Sequence, residues 1–446
     1  MSRPAASAPA PSRLAFMVRA LKYRNYRLFF GGQVVSLIGT WMTSVATSWL
    51  VYRLTGSAWM LGVVVFAGQF PSFLLAPFAG IFVDRVDKHR LLIGTQSAAM
   101  LQSFALAALT LTGRITIPGL ILLNAVDGVI NAFDMPCRQA FVVEMIERKE
   151  DLGNAIALNS SMVNAARMIG PAIGGVLIAL AGEGWCFFAD GASFLAVIAA
   201  LLAMRVAAKP RKPRHAGGPL AELREGWDYT VGYAPIRSII VLLALVSLLG
   251  LPYSVLIPIF AGRVLGGGPH TLGLLMTATG CGALAGAAWL AQRRTVLGLD
   301  RAIPIAVGVF GLGLAAFSFS RALWLSSVIL VVVGAGFMIQ IAASNTIVQT
   351  IVDDDKRGRV MSFFMMAFLG AAPFGSLLAG RAAERYGAPH AVLFGGLACV
   401  ACAGVFALGL PRLRRAIRPA YERMGLLPEI VAAVRDAGEM TFETRD

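Results

Sequence analysis

Long apolar runs recur along the chain at nearly regular spacing, and short segments rich in charge, glycine or proline separate them. A helix of about 20 residues crosses the hydrocarbon core of a bilayer, and each run approaches or exceeds that length. Backbone groups in lipid must find hydrogen-bond partners within the protein, which favours helices over open sheets. The pattern therefore predicts twelve transmembrane helices, at 29–52, 58–83, 91–112, 117–137, 155–181, 185–204, 238–262, 271–292, 302–320, 322–349, 360–380 and 389–411.

The composition supports this interpretation. Of the 446 residues, 57% are apolar and only 14% are charged, and the mean hydropathy is +0.72. A soluble domain usually has about a quarter of its residues charged. The composition excludes a set of soluble domains, and it is also the opposite of the signature of a disordered chain. The expected fold class is an all-α integral membrane protein.

The basic residues predict the orientation of the chain. With the N-terminus inside, the inner loops carry 19 Lys and Arg, and the outer loops carry six. Cytoplasmic loops are enriched in Lys and Arg, so both termini are expected in the cytoplasm of a cell with a bacterial-type inner membrane. The net charge of +15 then reflects contact with anionic lipid, and no nucleic acid partner is expected.

The longest connection, 205–237, contains the basic segment "KPRKPRHAGG" and is expected to be a flexible cytoplasmic linker. It separates two six-helix bundles, 29–204 and 238–411. Segment 170–179 ("GPAIGGVLIA") resembles segment 370–379 ("GAAPFGSLLA"), as expected if the second bundle repeats the first. Two parallel repeats of this kind form one large transporter architecture. The basic tails 1–28 and 412–446 are expected in the cytoplasm, the second as an amphipathic helix on the inner leaflet.

Two short motifs resemble the signatures of a known family. The segment "GIFVDRVDKHR" (80–90) is similar to the loop signature of the major facilitator superfamily, although Asp87 stands where that family usually has a second glycine. The segment "RMIGPAIGG" (167–175) is similar to the antiporter signature of its exporters. The fourth-span signature lacks its arginine, because Asn124 occupies the position four residues before Gly128.

A narrower resemblance extends from about Tyr26 to Pro411. Blocks such as "NYRLFFGGQVVSLIGTWM", "ALNSSMVNAARMIGPAIGG" and "CFFADGASF" resemble the branch that contains the enterobactin exporter and macrolide-efflux proteins. The resemblance implies the major facilitator fold and a drug:proton antiporter with twelve spans. It also implies export of an amphiphilic small molecule, a siderophore or a drug, driven by protons through alternating access. Uptake by the same fold stays open as an alternative.

Polar side chains in the first and tenth spans are candidates for lining a substrate cavity. Those in the first span are spaced by three and four residues and therefore share one helical face. Hydrogen bonding between packed helices is an equally good explanation for small hydroxyl groups. The candidates are Gln33, Ser36, Thr40, Thr43 and Thr47 in the first span, and Gln340, Ser344 and Asn345 in the tenth.

The fourth span carries the candidate proton-coupling site. Asn124, Asp127, Asn131 and Asp134 share one face, and both asparagines are further cavity candidates. Asp127 is near the bilayer centre, where an ionised carboxylate costs about 2.5–3.5 kcal/mol on insertion scales. Arg167 has a similar depth in the fifth span and is the expected partner of Asp127. The pair is either structural or a proton or substrate site, with Asp134 as the next candidate. A packing role is favoured for Asp190 in the sixth span.

Two further motifs concern helix movement. For the loop with Gly80, Asp84, Arg85 and Arg90, the family resemblance implies a gating role, and a basic anchor on the inner side is the alternative. Gly170, Pro171, Gly174 and Gly175 allow close helix packing and a bend, which favours a pivot or seal between halves or, alternatively, packing alone.

The remaining function classes have little support in the sequence. The ATP-binding motif G-x-x-x-x-G-K-[ST] does not occur, which favours secondary transport. A membrane enzyme would rest on Asp84 and Asp87 as a metal pair inside a basic turn, which is a poor metal site. We therefore expect a monomeric transporter with no cofactor and no metal, whose partners are the lipid bilayer, a small-molecule substrate and protons.

Overall fold

The computed structural model describes residues 18–83, 85–205, 219–293, 295–353 and 355–423. The first half of the described chain has six long helices. They are α1 (Arg24–Thr55), α2 (Ala58–Val83), α3 (Lys88–Leu111), α4 (Ile117–Met145), α5 (Lys149–Ala181) and α6 (Glu183–Leu202). A shorter helix, α7 (Pro219–Gly232), leads into the second half.

The second half repeats the arrangement of the first. Its helices are α8 (Ala234–Leu249), α9 (Tyr253–Ile259), α10 (Pro269–Ala291), α11 (Leu299–Phe319), α12 (Leu323–Ile351), α13 (Arg357–Tyr386) and α14 (Ala388–Arg423). Within the part of the chain that the structure describes, twelve segments are long and apolar enough to cross a membrane, and α8 and α9 together belong to one of them. This confirms the predicted all-α fold with twelve spans.

Helix packing shows that the halves are related by a pseudo-twofold axis. In the first half α2 packs on α4, and α3 packs on α4 and α6. In the second half the corresponding helix α10 packs on α12, and α11 packs on α12 and α14. Between the halves, α5 packs on α10 and α2 packs on α13, which are equivalent contacts under the same axis. The six-helix repeat suggested by the sequence is therefore also present in the structure, where corresponding helices of the two halves pack on corresponding partners.

The seventh span is interrupted, whereas the sequence predicted a continuous helix over 238–262. Residues 250–252 (Gly-Leu-Pro) separate α8 from α9, because Pro252 has no N–H group to continue the helical hydrogen bonds. The Leu251 N–H turns back to the Val246 carbonyl (3.0 Å), and the Tyr253 N–H donates to the Gly250 carbonyl (3.2 Å). A π-helical turn over Phe260–Val264 ends the span.

Part of the linker predicted to be flexible is helical. Helix α7 lies against α13, where Arg359 Nη1 is 2.7 Å from Glu225 Oε2 and the rings of Trp227 and Phe363 are 5.7 Å apart. The segment "KPRKPRHAGG" lies outside the described residues. The helix begins where good helix formers replace the Pro- and Lys-rich stretch.

Both ends of the membrane domain extend further than predicted. Helix α1 begins at Arg24, and a 3₁₀ turn before it (Arg19–Lys22) lies against the start of α5. Lys22 Nζ is 2.5 Å from Asp151 Oδ2, and this contact raises the pKa of Lys22. Helix α14 runs on to Arg423 and is held by an ion pair between Arg414 and Asp300. The predicted amphipathic tail helix therefore begins as a continuation of the last span, and residues 424–446 lie outside the described part.

The two halves meet closely at only one face of the bundle among the described residues. We call the face at which the described chain begins and ends the termini face, and the other the closed face. At the closed face a Cβ on Gly62 would lie 2.5 Å from the Ser376 carbonyl oxygen. A Cβ on Gly273 would lie 2.5 Å from the Pro171 carbonyl oxygen. Toward the termini face, a Cβ on Gly80 near the end of α2, or on Gly358 at the start of α13, would meet nothing within 4 Å. We call the space between the halves on this side the cleft.

Candidate functional site

The cleft between the halves is the candidate substrate site. The residues predicted to line it differ in how exposed they are. Thr40 on α1 and Asn131 on α4 are exposed. Thr43, Thr47, Asn124 and Asn345 are partly buried, whereas Gln33, Ser36, Gln340 and Ser344 are buried. The polar stripe of α1 is therefore divided between open surface and helix packing.

The polar patch of α12 does not line the cleft in this conformation. Gln340 and Ser344 are completely buried, and their side chains form no hydrogen bond with any described residue. This face of α12 turns into the second half, where the helix packs on α10 and α11. The prediction assumed that a polar patch points to an aqueous path, but here Asn345 alone of the three is partly exposed.

A buried ion pair joins three helices of the first half. Asp134 on α4 is 2% exposed and pairs with Arg138 one turn later on the same helix. The carboxylate also accepts hydrogen bonds from Thr95 Oγ1 (2.8 Å) and Gln96 Nε2 (2.7 Å) of α3. Arg138 Nη1 donates to Gln33 Oε1 of α1 (3.0 Å). Asp134 is therefore neutralised by a cation, as structural buried carboxylates usually are.

Arg138 is the member of this network that the sequence reasoning missed. Its signal was present, because residues four apart on a helix are neighbours and Asp134 precedes Arg138 by four positions. The predicted fourth span ends at residue 137, which assigns Arg138 to a basic loop. Helix α4 continues to Met145, which places Arg138 within the packed bundle.

Asp127 does not pair with Arg167, contrary to the expectation from their depths. The Asp127 carboxylate accepts a hydrogen bond from Asn131 Nδ2 (2.9 Å) on its own helix. The physical reason is that α4 packs on α2 and α3, whereas α5 packs on α1 and α10. Residues at similar depth on the consecutive helices α4 and α5 therefore have different neighbours. Asp127 is partly buried and Asn131 is exposed, so the pair lies at the surface of the first half.

Arg167 lies instead at the junction between the halves. Its guanidinium carbon is 5.1 Å from the centre of the Trp41 ring of α1, a cation–π geometry. It also lies near Tyr253 of α9. The Arg167 carbonyl oxygen is 3.1 Å from the position of a Cβ on Gly280 of α10. Arg167 therefore contacts both halves at mid-depth, and its buried Nε has no hydrogen-bond partner among the described residues.

Asp190 on α6 is buried among hydroxyl groups. Its Oδ2 accepts hydrogen bonds from Thr43 Oγ1 of α1 (3.0 Å) and Ser103 Oγ of α3 (2.9 Å). Gly39 makes room for it, since a Cβ there would lie 2.7 Å from Asp190 Oδ1. The carboxyl group joins three helices through hydrogen bonds, one of them from Thr43, and the packing role stays a prediction.

The glycine motif of α5 serves two different interfaces. Gly170 and Gly174 approach α1, where a Cβ on Gly170 would lie 2.5 Å from Trp41 Cβ. Pro171 and Gly175 approach α10 across the halves, where a Cβ on Gly175 would lie 3.0 Å from the Gly273 Cα. The second pair belongs to the contact between halves that the sequence suggested as a pivot or seal.

The loop that resembles the family signature is ordered by Asp87, the residue that stands where the family usually has a glycine. Asp87 caps α3, because its side chain accepts hydrogen bonds from the N–H groups of His89 and Arg90. Arg85 and Arg90 are exposed, and a Cβ on Gly80 would meet nothing within 4 Å. Asp84 lies outside the described residues, so its predicted gating contact remains a prediction.

A contact at the closed face was not predicted. Glu384 near the end of α13 accepts hydrogen bonds from Ser57 Oγ (3.1 Å) and the Trp59 N–H (3.2 Å) at the start of α2. A carboxylate at the N-terminus of a helix is stabilised by the helix dipole and the free N–H groups. One half thus caps a helix of the other.

Comparison with known proteins agrees with this architecture. A family model described as transmembrane secretion effector matches residues 18–427. The staphyloferrin A transporter of Staphylococcus aureus (strain NCTC 8325 / PS 47) is 26% identical over 381 residues, covering 85% of this chain and 95% of that protein. The multidrug efflux pump Tap of Mycolicibacterium fortuitum is 28% identical over 385 residues, covering 84% of this chain and 93% of the pump.

A third relative and a solved structure match this chain over similar lengths. Macrolide efflux protein A of Streptococcus pyogenes is 23% identical over 403 residues, covering 85% of this chain and 96% of that protein. The crystal structure of the nucleoside transporter NupG superimposes with a TM-score of 0.67 at 14% identity, covering 88% of this chain and 99% of that one. At this identity the structural likeness shows the fold alone.

Twelve membrane-crossing helices in two pseudo-symmetric halves, closed at one face and open at the other, define a multi-pass membrane protein of the major facilitator fold. The chain belongs to the transmembrane secretion effector family of the major facilitator superfamily. The resemblance stated from the sequence motifs is thereby confirmed.

Proposed function

We propose that this protein is a secondary active exporter of the plasma membrane that moves an amphiphilic small molecule outward in exchange for protons. The observation that carries the proposal is the asymmetric contact between the halves. They are sealed through α2–α13 and α5–α10 at the closed face and separated toward the termini face. A transporter that alternates access needs such a seal on one side at a time.

The excess of basic residues in the loops at the termini face supports a cytoplasmic location for that face. The cleft would then be open to the cytoplasm, where an exporter collects its substrate. The names of the relatives support a siderophore or a drug as the substrate class, since they include a staphyloferrin A transporter, a multidrug efflux pump and a macrolide efflux protein. Uptake by the same fold is the alternative.

Transport direction and coupling can be tested together in inside-out membrane vesicles with an acidic lumen, using ethidium, erythromycin and staphyloferrin A as probes. An exporter coupled to protons accumulates a probe in the lumen, and the accumulation stops when an ionophore dissipates the pH gradient. Accumulation only in right-side-out vesicles with an acidic exterior would instead show uptake. Vesicles without the protein are the control for passive entry.

Asp127 is the candidate proton-binding residue at the cleft in this proposal. Asp127→Asn keeps the shape and the hydrogen bond to Asn131 but cannot bind or release a proton. We expect the variant to bind the transported probe as the wild type does and to lose accumulation driven by the pH gradient. Wild-type accumulation with an unchanged pH dependence would show that the coupling residue lies elsewhere.

A further inference from the structure

Asp190 and Asp134 are both buried carboxyl groups of the first half, at 3% and 2% exposure, but they differ in their neighbours. Asp134 has the guanidinium of Arg138 beside it. Asp190 forms no ion pair with any described residue, and hydroxyl groups are its side-chain hydrogen-bond donors. An ionised carboxylate that loses water without gaining a cation is strongly disfavoured relative to its neutral form.

The hydrogen bonds distinguish the two oxygens of Asp190. Oδ2 accepts both hydroxyl hydrogen bonds, whereas Oδ1 is buried and accepts none. In a protonated carboxyl group the carbonyl oxygen is the better acceptor and the other oxygen carries the proton. Two hydroxyl hydrogen bonds on Oδ2 and none on Oδ1 among the described residues leave the charge of an ionised Asp190 only partly compensated. A carboxylate would be expected to draw donors to both oxygens.

The helices around Asp190 supply no cation for it. Helix α6 packs on α1, α3 and α5. The sequence of α1 has no charged residue between Arg27 and Arg53, and that of α3 has none after Arg90. On α5 the mid-depth cation is Arg167, whose guanidinium lies over Trp41.

The other titratable groups near Asp190 would not stabilise its ionised form. Glu183, at the closed-face end of α6, is already paired with Arg53 (2.8 Å). The Cys186 thiol is buried one turn before Asp190. Asp127 of α4 lies within electrostatic range and repels a second negative charge.

We infer that Asp190 is a second proton-binding residue of this transporter and holds its proton while the cleft is open at the termini face. The inference rests on the proposed function. Thr43, which donates to Asp190, belongs to α1, and the exposed Thr40 is on the same helix one turn away. Movement of α1 on substrate binding would separate Thr43 from Asp190 and open a path for the proton. Asp127 at the cleft and Asp190 behind α1 would then be two members of one proton pathway.

The protonation state of Asp190 can be measured without a substrate. Infrared spectra of the purified protein in lipid, recorded at neutral pH and compared between the wild type and each variant, report the carbonyl stretch of protonated carboxyl groups. We expect one such band in the wild type at neutral pH that is absent in Asp190→Asn and present in Asp127→Asn. A spectrum of Asp190→Asn identical to that of the wild type would show that Asp190 is ionised and would overturn the inference.

A second variant, Ser103→Ala, tests the assignment of the band if Asp190→Asn does not fold. Ser103→Ala removes one hydrogen bond to Oδ2 and leaves the carboxyl group in place. The carbonyl band should move to higher frequency, because a carbonyl that loses a hydrogen bond has a stronger C=O bond. An unmoved band would contradict the assignment to Asp190.

Transport then tests the role of the proton in coupling. In the vesicle assay described above, with the probe that the wild type accumulates, Asp190→Asn should fall to the level of vesicles without the protein while retaining counterflow of that probe. Accumulation equal to the wild type would overturn the coupling role. If the wild type itself does not respond to the gradient, the proposed function fails, and the infrared result still decides the protonation of Asp190.

Discussion

At the scale of single residues, the surroundings of each buried aspartate define what its replacement would cost. Asp134 neutralises Arg138 and accepts two hydrogen bonds from α3. Asp127 has its own helix neighbour Asn131 as the donor, and Asp190 has hydroxyl groups from two helices. Three chemically identical side chains in one half are therefore expected to respond differently to the same substitution.

Asp134→Asn should be the most destabilising of the three Asp→Asn changes. It leaves the Arg138 charge without its counter-charge, and breaking a buried pair in this way costs about 3–5 kcal/mol. The side chain of Arg138 is 23% exposed, so the loss should lie at or below the lower end of that range. Thermal unfolding in detergent measures it, and Asp127→Asn is the matched control. We also expect the double variant Asp134→Asn/Arg138→Gln to recover stability.

Asp127 and Arg167 should behave as independent sites. They form no ion pair and lie on helices with different packing partners, and effects of separated sites usually add within about 0.3–0.5 kcal/mol. The stability loss of Asp127→Asn/Arg167→Gln should equal the sum of the two single losses. A coupling energy well above that limit would show that the ion pair predicted from the sequence forms in another conformation of the cycle.

At the scale of helices, small residues determine how tightly the halves close. Pro171 and Gly175 of α5 meet Gly273 of α10, and the pseudo-symmetric contact joins Gly62 of α2 to Gly380 of α13. Backbones that approach this closely leave no space for a side chain. The glycines of the motif therefore act through the contact between halves as well as through packing within one half.

Gly273→Ala should weaken the seal at the closed face. The added Cβ would lie 2.5 Å from the Pro171 carbonyl oxygen, so α5 and α10 must separate. Spin labels on α5 and α10 near the closed face should report longer distances and a larger population of open molecules. Gly404→Ala on α14 is the control, because its Cβ would meet nothing within 4 Å. Equal distance distributions for both variants would contradict the proposed seal.

At the scale of the whole molecule, the described chain begins and ends at the same face of the bundle, as twelve membrane crossings require. The proposed orientation of the two faces rests on charge. The segments predicted as inner loops carry 19 Lys and Arg, Arg138 of α4 included, against six in the segments predicted as outer loops. Basic loops are retained on the cytoplasmic side during insertion.

A cysteine introduced at position 215 or 430 should therefore react with a membrane-impermeant thiol reagent only from the cytoplasmic side. The assay compares intact cells with inside-out vesicles in a variant without the five native cysteines. A cysteine replacing Arg114, in a loop at the closed face, should show the reverse pattern. Labelling of position 215 or 430 in intact cells would invert the proposed topology and the proposed direction of the open cleft.

The sequence by itself determined the number of spans, their division into two repeats and the family, because these depend on local hydropathy and on motifs read along the chain. It also placed Asp127 and Arg167 at similar depth, since depth follows from position within an apolar run. It did not determine the side chains beside each of them. Neighbours depend on the rotation of each helix and on which helices pack together.

The tertiary structure decided those pairings. It placed Arg138 beside Asp134, Trp41 beside Arg167 and two hydroxyl groups beside Asp190. It also divided the polar stripe of α1 between the cleft and the interior. Two helices that are consecutive in the sequence are joined by a loop but do not necessarily pack on each other. Helix α5, for example, packs extensively on α10 of the other half and only slightly on α4. The chemistry of a buried charge is set by such contacts between distant segments, for which the hydropathy pattern carries no information.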